Sequence, residues 1–339
     1  MRKPLFTCLL AVCALSAWAI DNNTVEITYS GTEATVNIAE NIADYVTVSS
    51  GSSSHVVLVQ NSSFAGIDAT TDNTSGEITY ILSGSSDAGS LKLTGSYKCT
   101  ISLAGLTLTN SSGPALTILN GKRVKLSAKK ETTNTLTATS TSTYNGGIYC
   151  KGHLELQGNG VLNISDSYAH AIKTKEYVQV KNLTLNITSA AKDGINCGEY
   201  FWMKSGTVTL SGIGSDGIET SLKGTTSTGE IVADETTGVE AHDDEDSGNF
   251  YQDGGTLTIT LADGNTTGSL IQVAGTETHS GGTYNGTDYT GIKSTLIMPE
   301  NTLPTIYDLD GRQLPATGVR TTGVYIINTN GKTIKTLIK

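Results

Sequence analysis

Residues 193–220 read DGINCGEYFWMKSGTVTLSGIGSDGIET, and the opening triplet Asp-Gly-Ile returns 23 residues later as Asp216-Gly217-Ile218. The same slot (small residue, Ile, any residue, small residue) occurs upstream. It reads Gly147-Ile148-Tyr149-Cys150 and then Ala171-Ile172-Lys173-Thr174. From Ile148 to Ile218 the Ile-to-Ile steps are 24, 23 and 23, and Leu116 lies 32 before Ile148. A period near two dozen residues marks a chain built by stacking one small unit on the next.

The second part of each unit alternates strictly. HLELQGNGVLNIS (153–165), YVQVKNLTLNIT (177–188) and YFWMKSGTVTLS (200–211) align position by position. Period two means strands with one buried face. The inward columns are Leu154/Val178/Phe201, Leu162/Leu185/Val208 and Ile164/Ile187/Leu210, all apolar. No stretch carries a 3.6-residue stripe, so a leucine-rich repeat with helices does not fit. The nine-residue calcium β-roll fails on period. These observations predict an all-β chain: a right-handed parallel β-helix, a single-stranded solenoid over 97–299. Neighbouring units then supply each other's burial, at roughly 1.5–3 kcal/mol per aliphatic side chain.

Cys150 and Cys197 fall in one inward column with Thr174 between them. At two strand spacings, about 9–10 Å, they are too far apart for a disulfide. With Cys99 they read as small core residues. Between Ile218 and Ile271 the step is 53, so an acidic loop at 221–249 is inserted into the repeat. Residues 20–96 are β-rich but keep the period poorly, which predicts a β cap merging into the first units. Glu277 and His279 occupy inward slots, as expected of an atypical last unit.

Residues 1–19 have the layout of a cleaved export signal. Arg2 and Lys3 precede an apolar run, which ends in Ala17-Trp18-Ala19. Without those two basic residues, 20 basic face 32 acidic side chains, a net charge of −12. That argues against a nucleic-acid partner, and no later run is long and apolar enough for a membrane span. A secreted or surface-held monomer is expected.

The runs ITYILSGSS, GSYKCTISLAGLTLTN, GKRVKLSA, YCKGHLELQGNGVLNIS, HAIKTKEYVQV, SAAKDGI, GSDGIET and EDSGNFYQDGGTLTIT resemble a family of secreted bacterial carbohydrate-binding domain proteins. The resemblance spans about 25–295. It implies a pectate-lyase-like right-handed β-helix that carries calcium and binds plant-type polysaccharide, acidic kinds included. The tail, 303–339, resembles the C-terminal sorting domain of type IX secretion, YDLxGR…GVYII…GK…K. Tyr307, Asp308, Gly311, Arg312, Gly323 to Ile327, Gly331 and Lys332 carry that match. It implies contact with a secretion machinery.

Asp193 and Asp216 occupy equivalent corners of successive units. Stacked carboxylates repel unless a cation or hydrogen bonds intervene, and calcium is the hard cation that accepts them. Glu219, with Asp243, Asp244 and Asp246 of the inserted loop, completes the candidate metal set. The alternative is that each Asp caps a turn by accepting backbone N–H bonds. For sugar, the outward positions Tyr177, Tyr200, Trp202, Tyr251, Gln179 and Lys173 offer ring faces and polar partners. An aromatic stack that merely stiffens the sheet reads equally well. No catalytic set is assigned. Serine-triad, metal-histidine and phosphate-loop motifs are absent. A lyase would rest on Lys173 or Lys175 as base, and a hydrolase on Asp193 and Asp216 as the carboxylate pair. The reading is a calcium-assisted, non-catalytic polysaccharide binder; a lyase or hydrolase on the same frame, or a structural adhesin, is the alternative.

Overall fold

The computed structural model describes residues 20–66, 76–140, 143–222, 248–289, 305–309, 312–314, 323–329 and 332–338. Among these, strands form sheets of 17, 9 and 4 members, and the one helical piece is a 3-10 turn at Glu40–Tyr45. No helix among them is long and apolar enough to cross a membrane.

The small-Ile-x-small segments build the nine-stranded sheet. Leu91, Leu116, Ile148, Ile172, Ile195, Ile218 and Ile271 pair in that order, all in parallel. Each alternating segment splits into two strands of the large sheet. Leu154–Gln157 and Val161–Asp166 come from one unit, Val178–Lys181 and Leu183–Ala190 from the next. The bend between them needs left-handed backbone: Gly158 has φ 102° and Asn182 φ 56°. Gly and Asn are the residues that adopt it at least cost.

The apolar columns run in register through the stack. Leu154, Val178, Phe201 and Phe250 form one, and Leu162, Leu185, Val208 and Leu257 another. Every one of these side chains is buried. Cys99, Cys150 and Cys197 are free and buried among them, and burial pushes all three thiols up, Cys99 to about 12. On the outward side Asn186 donates to Asn163 at 2.9 Å. The 53-residue step leaves the pairing intact, since Ile218 still meets Ile271 and Trp202 meets Tyr251. Residues 223–247, with Asp243, Asp244 and Asp246, lie outside the described residues.

Parallel stacking reaches further back than residue 97, where the sequence pattern put its start. Thr24–Ser30 pairs with Ile78–Ser86, which pairs with Cys99–Asn110; His55–Gln60 pairs with Ser90–Thr94. The period is hard to read there because segments of uneven length join the strands. Antiparallel Glu33–Ile38 and the 3-10 turn, which buries Ile42, close this end. At the other end the core meets a polar lid. The His279 ring stacks on Tyr289 at 4.5 Å and Tyr284 at 5.0 Å, and its Nδ1 lies 2.8 Å from Gln252 Oε1. This gives the inward placement of His279 a physical reason. The tail forms its own four-stranded antiparallel sheet, with Ile306, Leu314 and Tyr325 packed together.

Candidate functional site

The corner entering the nine-stranded sheet gathers charge. His170, Asp193 and Asp216 follow one another at 23-residue intervals, and Asp193 and Asp216 each immediately precede a Gly-Ile pair. The Asp216 N–H donates to Asp193 Oδ1 at 3.2 Å, and the Ser269 N–H donates to Asp216 Oδ1 at 2.6 Å. Each carboxylate thus caps the next unit rather than its own turn. Gly217 is required here: a Cβ would stand 2.3 Å from the Leu270 carbonyl oxygen.

One oxygen of each aspartate is spent on that cap, yet the carboxylates still converge. Asp193, Asp216 and Glu219 place ligand oxygens within 4.8 Å of one another. Asp193 is 3% exposed, while Asp216 and Glu219 are half-buried. Asp193 Oδ2 lies 3.0 Å from His170 Nδ1 and accepts from Asn196 Nδ2 at 2.6 Å. Asn196 Nδ2 also reaches Glu219, and Lys173 Nζ donates to Asn196 Oδ1. Tyr149, Lys173, Asn196 and Glu219 form one outward file of the nine-stranded sheet.

The electrostatics follow from this crowding. Burial disfavours ionised Asp193, but hydrogen bonds with His170, Glu219 and Asn196 outweigh it and hold the carboxyl well below the usual range. Glu219 is pushed up to about 7 by burial, then by the Asp193 carboxylate, with Lys173 opposing. Burial, and then Lys175, lowers Lys173. Without a cation, Glu219 therefore keeps a proton between about pH 4.5 and 7 that the unfolded chain has released. Its contribution to stability falls as pH rises through that window. Denaturant midpoints in chelator should drop from about pH 5 to about pH 7.5, and Glu219→Gln should flatten that part of the slope. A wild-type slope unchanged in the variant would remove Glu219 from the titration.

Calcium binds oxygen at 2.3–2.6 Å, so two ligands of one ion lie up to about 5 Å apart. The 4.8 Å spread and the all-carboxylate donors fit such an ion. Three protein side chains leave places for water, carbonyls or a ligand carboxylate.

The aromatic platform is different from its expected form. Tyr177 and Tyr200 are 0% exposed, and Tyr251 and Gln179 are buried as well. The register is as read, Gln179 beside Trp202 beside Tyr251, but the rings cover one another. Tyr177 and Tyr200 stack at 4.8 Å, and Trp202 packs against the group. The Trp202 indole donates to Asp253 Oδ2 at 2.6 Å, with Lys204 Nζ 3.7 Å from the ring centroid. Rings repeated at a tight corner bury each other's faces, so Tyr177 and Tyr200 present none to a ligand. Lys173 remains half-buried beside the acidic trio. His170 was missed in the sequence although it precedes Asp193 by the period; its ring takes the slot that an aspartate fills in later units.

The family model of carbohydrate-binding domain-containing proteins matches residues 68–308. Among solved structures, a polysaccharide lyase-like protein from C. thermocellum, determined as a gadolinium derivative, is similar in fold. It shares 14% identity at a TM-score of 0.55, over 77% of this chain and 99% of that one. No curated protein matches. The match over most of the stacked strands, which include the acidic corner, assigns the chain to the carbohydrate-binding domain-containing proteins.

Proposed function

We propose that the chain is a secreted, non-catalytic carbohydrate-binding protein whose stacked units form a right-handed parallel β-helix and whose acidic corner holds calcium. The family match supports sugar binding in general. The observation that carries the finer reading is the convergence of Asp193, Asp216 and Glu219 beside an outward file holding Lys173 and Asn196. A calcium ion there has open coordination places, and a uronate carboxylate is the sugar group that fills them. Lys173 supplies donors for the remaining oxygens, and Tyr149, tilted on Tyr144 at 4.9 Å, stands next to it in the file. The binding face thus moves from the tyrosine corner to this file. The leader directs export, the tail engages a secretion machinery, and the stack acts as a monomer.

Titration calorimetry with oligogalacturonate tests this. Binding is expected in calcium and absent in chelator, and Lys173→Ala should weaken it by about tenfold or more, the worth of a charged hydrogen bond. Binding that ignores chelator would remove the calcium bridge.

One observation favours a second reading. The Lys173 ammonium is lowered by burial next to the candidate ion, as a lyase base would be. In that case neutral Lys173 takes the proton α to the uronate carboxylate, a C=C bond forms, the C–O bond to the departing sugar breaks, and that oxygen takes up a proton from solvent water. Absorbance of an unsaturated uronide that vanishes in Lys173→Ala would establish the lyase; its absence in wild type leaves the binder.

A further inference from the structure

The corners leaving the nine-stranded sheet hold a second cluster, and its reading does not depend on the sugar site. Glu176 and Glu199 stack 23 residues apart, because Val178 pairs with Phe201. His153 stands in the preceding unit one place further along, because Leu154 pairs with Val178. One ligand atom from each of the three lies within 4.8 Å of the others. His153 is 2% exposed and Glu199 0%; Glu176 is half-buried. Asp193 and Glu199 flank the same short strand, Ile195–Cys197, so the two clusters sit at its opposite ends.

The backbone at these corners has no slack. A Cβ on Gly152 would stand 2.2 Å from the Lys122 carbonyl oxygen, and one on Gly198 would stand 2.0 Å from that of Lys175. Tyr177 stacks on the His153 imidazole at 4.3 Å and fixes its plane. Both imidazole nitrogens are buried and have no hydrogen-bond partner among the described residues. Nε2 abuts Glu176 Oε2, but without the geometry of a hydrogen bond. A buried imidazole ordinarily donates to a carbonyl or carboxylate. Here its nitrogen and two carboxylates converge within 4.8 Å, as donors around an ion do.

We infer that His153, Glu176 and Glu199 form a binding site for a divalent transition-metal ion, with Zn²⁺ the best match. One imidazole nitrogen with carboxylate oxygens suits Zn²⁺, Mn²⁺ or Fe²⁺, whereas calcium takes oxygen alone. The ion would pin three successive units together at a corner. It would also account for two glutamates held away from solvent.

The test uses the full chain, stripped with chelator, then titrated with Zn²⁺ and with Co²⁺ as its coloured stand-in. Wild type is expected to take up Zn²⁺ with a raised Tm, and Co²⁺ to show the absorption of a low-coordinate nitrogen–oxygen site. His153→Gln and Glu199→Gln should each weaken Zn²⁺ binding at least about tenfold, a loss that even outer-shell changes produce. Asp216→Asn should leave it intact, which separates this site from the acidic corner. Wild type that takes up no Zn²⁺ overturns the assignment, as does binding that persists in both ligand variants. If the variants fail to fold, the wild-type Co²⁺ spectrum decides: the weak bands of an all-oxygen octahedral ion overturn it.

Discussion

An Ile195→Ala chain should lose about 2–5 kcal/mol of unfolding free energy, whereas Ile271→Ala should lose less than half of that. Ile195 is 0% exposed, with Ile172 on one side and Ile218 on the other. Truncation there removes contacts with two neighbouring units and leaves a cavity that the stack cannot close from either side. Among the described residues Ile271 stands in the last strand of its sheet and pairs only backward to Ile218, and it is half-buried. Urea midpoints at matched slopes measure the difference. Equal losses at the two positions would mean that burial does not pass from unit to unit. The comparison matters because stability in a stacked chain is close to a sum of nearest-neighbour terms.

The Asp216→Asn/Glu219→Gln variant should invert its rank against wild type according to calcium. At free calcium about 100 times its dissociation constant, wild type gains about 2.7 kcal/mol by mass action, and the variant gains nothing. In chelator the order reverses above about pH 7, where Glu219 in wild type has lost its proton and three carboxylates crowd one corner. The variant carries one of those charges, so its Tm should then be the higher. Thermal melts of both proteins, with calcium and with chelator, give the four values needed. A wild-type melt indifferent to calcium would remove the ion from the acidic corner. Variants that track wild type in both conditions would remove these two ligands.

The stacking was readable because it rests on short, strong patterns. The small-Ile-x-small slot requires glycine or alanine where backbones touch, and alternation requires apolar residues at every second place. Both survive in single letters, so Ile172, Ile195 and Ile218 could be aligned without a structure. The acidic corner was legible for the same reason, since Asp193 and Asp216 repeat with their glycines. Burial was not legible at the tyrosine corner. Period-two alternation assigns Tyr177 and Tyr200 to the outer side of the strand, but it says nothing of what covers that side at a tight bend. The rings cover themselves. His153 stacks with Tyr177 as aligned, but it also meets glutamates from the slot before the tyrosines. An alignment by columns hides contacts that run diagonally between them. The early strands escaped because their linkers vary in length, and pairing in a stack is indifferent to linker length.

That indifference has a consequence at the corner after Thr220. The chain there departs for a long excursion and returns to the register it left, with Thr220 bonded to the Gly248 carbonyl. The described rungs on either side keep their register across it, Trp202 with Tyr251 and Ile218 with Ile271. The ladder can therefore accept a longer, shorter or exchanged segment at that point, while the folding information stays in the paired strands. The molecule is arranged like a socket: variation plugs into one place, and the load is borne elsewhere.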